Sequence, residues 1–151
     1  MYKHTQRGRL LINLSITLIA ASVIAGYMGD RGLLLYPLGL VGLFLFLCFR
    51  DLTVEVNDTS VRLTFGVGWI KKEIKLDTVE AVFIVRNPWW YGLGIKYMRR
   101  GWLYNIGGLD AVELQFKNGK RARIGTDEPR VLQTEIFKRL VRPENKAQVS
   151  L

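Results

Sequence analysis

The stretch LLINLSITLIAASVIAGYMGDRGLLLYPLGLVGLFLFLCF, residues 10–49, decides the architecture of this chain. It contains two long runs without a charged residue, the first at 10–28 and the second at 33–49. A helix needs about 20 apolar residues, with a range of about 17–25, to cross the hydrocarbon core of a bilayer. Because only the short segment 29–32 separates the runs, the pattern predicts a membrane α-helical hairpin with spans at about 10–28 and 33–49.

Two other interpretations of these runs stay open at the level of the sequence. The first run follows Lys3, Arg7 and Arg9, the kind of basic segment that precedes the apolar core of a signal peptide. The run at 10–28 is long for such a core, and a second apolar run follows it at once, which favours an anchor. Both runs could instead be buried helices of a soluble protein, but the remaining ~100 residues are too few to cover that much apolar surface.

The basic residues around the runs predict the orientation of the hairpin. Lys3, Arg7 and Arg9 precede the first run and Arg50 follows the second, whereas the connecting loop at 29–32 carries one acidic and one basic residue. Basic residues accumulate on the cytoplasmic side of membrane proteins. We therefore expect both termini in the cytoplasm, with residues 1–50 forming a basic tail and a two-helix anchor.

Small residues at helical spacing suggest how the two helices would meet. Membrane helices gain packing energy where small side chains let the backbones approach closely. Small residues are also common in membrane helices without such a role, and both interpretations stay open. The candidate packing residues are Ala21, Ser22, Ala25 and Gly26 on the first helix and Gly39 and Gly42 on the second.

Composition restricts the chemistry that this protein can perform. The 151 residues include 22 basic and 13 acidic residues, for a net charge of +9, but a single cysteine, Cys48, and a single histidine, His4. That inventory excludes a disulfide framework, a Cys/His zinc site and a haem attachment motif. No arrangement of residues resembles a catalytic site or a nucleotide loop, so we expect a non-enzymatic protein with no cofactor and no metal.

The residues after the hairpin alternate between apolar and polar side chains, which is the pattern of β-strands. The alternation begins at Leu52, breaks at the turn residues 57–60 and recurs in further short runs. Asn118-Gly119 lies between two of these runs and is a strong signal for a tight hairpin. The spacing predicts about seven antiparallel strands, arranged as a barrel or a sandwich.

The period changes near the end of the chain. Thr126 is a suitable helix cap, and the acidic residues that follow it favour the start of a helix. Leu132, Ile136 and Leu140 then recur at helical spacing, so one amphipathic helix is expected to cap the strands. We place the domain at 51–142 and a disordered tail at 143–151.

Four segments give this chain a family resemblance. Together they resemble bacterial proteins in which a two-helix membrane anchor precedes a domain of the pleckstrin-homology (PH) superfold. The resemblance implies an all-β PH-like domain and a multi-pass protein of the bacterial inner membrane. It transfers no functional residues. The chain departs from the family pattern at Met98-Arg99-Arg100, which places bulk and charge where relatives tend to be Gly-rich. The segments are WYGLGIKY at 90–97, GWLYN at 101–105, GLDAVEL at 108–114 and RIGTDEP at 123–129.

The segment at 89–104 combines large aromatic residues with cations. Trp and Tyr favour the membrane–water interface, and basic residues favour an anionic leaflet. Such residues also build the core of small β domains or line a groove for a partner, and these three roles stay open. The candidate interface residues are Trp89, Trp90, Tyr91, Lys96, Arg99, Arg100 and Trp102.

We therefore expect a binding module at the cytoplasmic face of the membrane that presents a protein-interaction or scaffolding surface. Its partner would be another protein or a second copy of the chain. The alternative is that the basic-aromatic face senses anionic lipid headgroups. Nucleic acid is not expected, because the basic residues are scattered and a leaflet is the nearer anionic partner.

Overall fold

A computed structural model describes residues 1–29 and 35–141 of the chain. The described residues form nine β-strands and three α-helices. Their bounds are β1 Tyr2–Arg7, α1 Arg9–Tyr27, α2 Tyr36–Phe49, β2 Asp51–Val56, β3 Ser60–Phe65, β4 Ile70–Lys75, β5 Val79–Arg86, β6 Gly94–Met98, β7 Gly101–Asn105, β8 Asp110–Phe116, β9 Arg121–Gly125 and α3 Pro129–Leu140. Short 3₁₀ turns lie at Leu76–Thr78 and Trp89–Tyr91.

The first four strands form an antiparallel sheet, sheet A, in the order β1-β2-β3-β4. In its central pair Leu52 faces Phe65 and Val56 faces Val61. Because side chains alternate along a strand, this register places the apolar residues of both strands on one face. The sequence alternation therefore predicted this part of the fold.

The other five strands form sheet B in the order β5-β8-β9-β7-β6. All of its pairs are antiparallel except β7 and β9, which run parallel. The Asn118-Gly119 turn joins β8 to β9 as predicted, with Gly119 at φ +77° and the side chain of Asn118 accepting the amide of Lys120 at 3.0 Å.

One core fills the space between the sheets. Its fully buried members include Leu63 and Phe65 from sheet A, Leu114 and Ile124 from sheet B, and Ile136 from α3. The helix packs on β5 and β8, and the side chain of Gln133 donates to the backbone oxygen of Val82 at 3.0 Å. The predicted C-terminal helix is thus confirmed as a cover of the strands.

The prediction of a single barrel or sandwich of about seven antiparallel strands is only partly right. There are two sheets, of four and five strands, and the pair β7–β9 is parallel. The chain leaves β7 and forms β8 beside β5, which leaves a gap between β8 and β7. The strand β9 returns from β8 into this gap, where it is antiparallel to β8 and parallel to β7. Sequence alternation identifies strands but not the order in which they pair.

The basic tail predicted before the anchor is wrong, because Tyr2–Arg7 is a strand. It pairs with β2 along its whole length, from Tyr2 opposite Val56 to Arg7 opposite Asp51. Residues on both sides of the hairpin therefore belong to one sheet. A division of the chain at residue 50 would remove an edge strand from that sheet.

Only one described helix, α1, is long and apolar enough to cross a membrane by length and composition. The second, α2, has 14 residues and begins at Tyr36 with Pro37 in its first turn. Proline lacks the amide that an interior helical position donates, so it suits a helix start. The predicted span at 33–49 therefore differs from α2, and its first two residues lie outside the described part of the chain, as do the predicted loop residues 30–32 and the tail at 143–151.

The two helices pack side by side, with small residues at their contact. A side chain on Gly39 would collide with Ser22, and one on Gly42 would lie 2.8 Å from the backbone oxygen of Ser15. Ala25 is fully buried, and Gly26 lies against the ring of Tyr36. Of the six candidate packing residues, Ala21 is the one for which no such close contact is shown, and it is half-buried.

Candidate anion-binding surface

The basic-aromatic segment is divided among three places in the fold. Trp89, Trp90 and Tyr91 form a 3₁₀ turn after β5, and Lys96 lies on β6. Arg99 and Arg100 make the turn of the β6–β7 hairpin, and Trp102 follows on β7. The segment therefore does not form one continuous face.

Register brings three further charged residues beside this hairpin. On the outer face of sheet B, Arg123 of β9 lies opposite Glu113 of β8 and beside Leu103 of β7. Arg121 lies two residues earlier on the same face, beside Gly101. Their neighbours on β9, Ala122 and Ile124, face the core.

Glu113 organises the arginines of this face. Its side chain is only 6% exposed, and its two oxygens contact Arg121 at 3.2 Å and Arg123 at 2.6 Å. Arg123 also donates to the side-chain oxygen of Asn87 at 3.1 Å, and its guanidinium lies 5.7 Å from the centre of the Tyr91 ring. A buried carboxylate that binds two guanidinium groups fixes their positions before any ligand arrives.

A pocket of about 270 Å³ lies between this arginine pair and the β6–β7 turn. We call it the arginine pocket; its full lining is Tyr91, Met98, Arg99, Arg100, Glu113, Arg121 and Arg123. Four arginines and one glutamate leave a net charge of +3. Within the described part of the chain, no carboxylate lies within 4.0 Å of Arg99 or Arg100. The pocket can therefore receive an anionic group through guanidinium hydrogen bonds.

Trp102 lies on the opposite, inner face of sheet B. Its ring packs edge-on against Tyr97 at 5.4 Å, and both rings line a cleft of about 180 Å³ that reaches Lys72 of β4. Tyr104 lies deeper in that cleft, and burial raises the pKa of its phenol. The predicted residue Trp102 thus lies on the other face of the sheet from the arginine pocket, and Arg121 lines both cavities.

The remaining predicted residues lie outside the pocket. Trp89 and Trp90 pack edge-on against each other at 6.0 Å and are strongly exposed. Lys96 is exposed on β6, where its ammonium nitrogen lies near Gly92. Only Tyr91, Arg99 and Arg100 of the seven candidates meet in the pocket.

Glu113, Arg121 and Arg123 were not among the residues predicted from the sequence. A signal for the two arginines was present, since Arg121 and Arg123 flank Ala122 in a strand whose inner face is apolar. Their pairing with Glu113 depends on the register of β8 and β9, which the turn at Asn118-Gly119 fixes.

A second polar cluster joins β1 to the start of α3. His4 contacts Asp127 at 2.7 Å and Glu128 at 3.5 Å, and the hydroxyl of Tyr2 donates to Glu128 at 3.5 Å. Burial, followed by the charge of Glu128, raises the pKa of Tyr2 to about 12. The amide of Glu128 donates to the hydroxyl of Thr126 at 3.1 Å, but α3 begins at Pro129 with Glu128 at its N-cap and no side-chain cap bond. The prediction of Thr126 as the helix cap is therefore wrong by two residues. This cluster attaches the first strand.

The comparisons with known proteins give no further assignment of the site. No family model, no curated protein and no solved structure matches the chain.

Proposed function

We propose that this chain is a membrane-anchored, non-enzymatic binding module whose arginine pocket receives an acidic group of a partner protein. The observation that carries the proposal is the arginine pocket itself, in which the buried carboxylate of Glu113 holds two arginines while Arg99 and Arg100 remain available. Guanidinium groups bind carboxylates through paired hydrogen bonds, which gives direction as well as charge.

The anchor in this proposal consists of α1 and α2 together. Both helices expose large apolar side chains, among them Leu14 and Ile24 of α1 and Leu40 and Phe44 of α2. Lipid is the occupant that removes such a surface from water without a partner chain. Arg7, Arg9 and Arg50 favour a hairpin with both ends in the cytoplasm. The inner membrane of a bacterium is what the sequence resemblance implies.

The proposal also includes the fold class of the domain that the two sheets and α3 form. We assign the two sheets and α3 to the PH type, as the sequence resemblance implies. The support is the order of several short strands followed by one helix that packs on them. A fold of this kind holds binding surfaces of many types, so the function rests on the pocket rather than on the class.

A partner protein fits the position of the pocket better than the lipid of the same bilayer. The loop after β7 meets the helices, since a side chain on Gly8 would lie 3.1 Å from the backbone oxygen of Ile106. Arg99 and Arg100 lie at the opposite end of β7, which a five-residue strand places roughly 15 Å away. Attraction to a charged leaflet weakens strongly over a Debye length of ~8 Å.

Binding of an acidic peptide tests this function. The full chain would be held in nanodiscs of neutral phosphatidylcholine and titrated with fluorescent hexaglutamate, with hexaglutamine as the peptide control. Hexaglutamate should bind and hexaglutamine should not, and the affinity for hexaglutamate should fall as the salt concentration rises. The variant Arg99→Gln/Arg100→Gln should weaken binding by about tenfold, or ~1.4 kcal/mol.

A variant with the same net charge provides the matched control. Arg62→Gln/Lys75→Gln also removes two exposed cations, but both lie on sheet A. It should change the affinity by less than about twofold, because surface charges far from the ligand are screened. Equal losses of affinity in both variants would mean that the peptide is held by the net charge of the chain and not by the arginine pocket. Displacement of the peptide by added phosphatidylglycerol vesicles would mean that the pocket binds a lipid headgroup rather than a partner protein.

A further inference from the structure

The turn between β3 and β4 is attached to the last turn of α2. The amide of Val67 donates to the backbone oxygen of Leu47 at 2.9 Å. The amide of Gly66 donates to the backbone oxygen of Asp51, also at 2.9 Å. Gly66 has φ +49° and lies so close to Leu47 and Cys48 that no side chain fits there. The turn therefore lies beside the helix, close to its C-terminal end.

This turn, Gly66–Trp69, exposes its apolar side chains. Val67 is 45% exposed and Trp69 is 68% exposed. A tryptophan that is this exposed on a soluble surface leaves a large apolar ring in water. The apolar body and polar N–H of tryptophan are instead suited to the boundary between acyl chains and headgroups.

We propose that Val67 and Trp69 form the contact of the domain with the lipid–water interface. The inference rests on the proposed anchor, because it takes the C-terminal end of α2 to lie at that interface. The occupant of the surface is the headgroup and upper acyl region of the leaflet that α2 enters. Continuity with α2 through the Val67–Leu47 hydrogen bond carries the assignment.

Several cations lie near this contact in the chain or at the adjoining helix ends, as expected at an interface with anionic lipid. Lys71 is exposed two residues beyond Trp69. Arg50 is the C-cap of α2, where its guanidinium lies 5.9 Å from the ring of Phe46 and 3.0 Å from the carboxylate of Asp51. Arg7, the last residue of β1, and Arg9, the first residue of α1, are also exposed. The aromatic-basic interface that the sequence placed at 89–104 is thus assigned to a different turn, which contains one of the four tryptophans.

Depth-dependent quenching of single tryptophans tests this contact. Two full-length chains would be reconstituted into vesicles of phosphatidylcholine whose acyl chains are brominated near the headgroup. One keeps Trp69 and the other keeps Trp102, the matched control at the far end of β7. The variants are Trp89→Phe/Trp90→Phe/Trp102→Phe and Trp69→Phe/Trp89→Phe/Trp90→Phe.

The bromine atoms should reduce the emission of Trp69 by roughly half and leave that of Trp102 almost unchanged. Aqueous iodide should act in the opposite order. Before quenching, a carbonate wash and flotation establish whether each chain is integral, and far-UV circular dichroism establishes that both have the same fold.

The outcomes separate this contact from the anchor on which it rests. A chain that floats after the wash but shows equal quenching of Trp69 and Trp102 overturns the contact and leaves the anchor in place. A chain that the wash removes overturns both. Neither result bears on the arginine pocket, which the peptide titration tests separately.

Discussion

Gly8 and Arg50 join the two helices to the sheets without a linker. The amide of Gly8 donates to the backbone oxygen of Arg50 at 2.9 Å, although both apolar runs lie between them in the chain. A side chain at Gly8 would lie 2.9 Å from the backbone oxygen of Phe49, so glycine permits this approach. Beyond this bond β1 and β2 pair residue for residue, and the ring of Phe49 packs edge-on against Phe65 at 6.0 Å. These contacts attach the ends of both helices directly to sheet A.

The close contact of Gly66 with α2 predicts a large effect of a single methyl group. In Gly66→Ala, the φ of +49° and the collision with the backbone of Leu47 should together cost about 2–5 kcal/mol of unfolding free energy. Gly119→Ala is the matched control, because Gly119 also has a positive φ but has nothing within 4 Å of the added atom. It should cost only about 1–2 kcal/mol. Denaturant unfolding in detergent measures both values, and equal costs would contradict the contact.

Glu113 should contribute to stability because its charge is buried between two arginines. Glu113→Gln removes the negative charge between Arg121 and Arg123 and leaves both guanidinium groups without their carboxylate partner. It should lower the unfolding free energy by about 2 kcal/mol. The exposed pair of Glu73 and Arg62, at 3.8 Å, gives the control. Glu73→Gln should change stability by at most ~0.5 kcal/mol. If the two variants have the same stability, Glu113 does not organise the arginine pocket.

The raised pKa of Tyr2 predicts a loss of stability at high pH. Burial and the carboxylate of Glu128 raise the pKa of Tyr2 from 10.0 to about 12 in the folded chain. Between these values the phenol is ionised in the unfolded chain but protonated in the folded one, so its contribution is complete below pH 10 and is lost as the pH rises to about 12.

Substitution of Tyr2 should remove that part of the pH dependence. The difference in unfolding free energy between the wild type and Tyr2→Phe is expected to shrink from pH 10 to 12. Tyr97→Phe, which changes an exposed ring in the cleft, should follow the wild type over the same range. A constant difference for Tyr2→Phe would mean that β1 does not dock on the start of α3.

The sequence predicts those parts of the fold that depend on local periodicity. Uncharged runs identify α1, and the alternation from Leu52 identifies β2. The strand β1 has no comparable signal, because two of its three inward residues, His4 and Gln6, are polar and bond to Asp127 and to the backbone of Gly107. Only Tyr2 packs against the apolar core. Its partner strand also lies on the far side of both helices in the chain.

The candidate site follows the same rule. The density of cations and aromatic rings at 89–104 pointed to Arg99, Arg100 and Tyr91, which do meet in the arginine pocket. Glu113 and Arg123 join them only through strand register, which composition does not contain. Trp102 was grouped with them by sequence position but faces the other side of the sheet.

The position of the domain at a membrane depends on the topology of the anchor, and cysteine labelling measures that topology directly. Cys48 is the single cysteine, so Cys48→Ser provides a background without thiols. Into it are placed Asp30→Cys, between the helices, and Thr59→Cys, in the exposed turn between β2 and β3. The label is a maleimide that does not cross the inner membrane, applied to intact bacterial cells and to lysed cells.

With a two-span anchor, the thiol at position 30 should react in intact cells, whereas the thiol at position 59 should react only after lysis. This result would place the loop and the sheets on opposite sides of the membrane, as two spans require. Reaction of both thiols under the same condition would contradict a hairpin that crosses the bilayer twice.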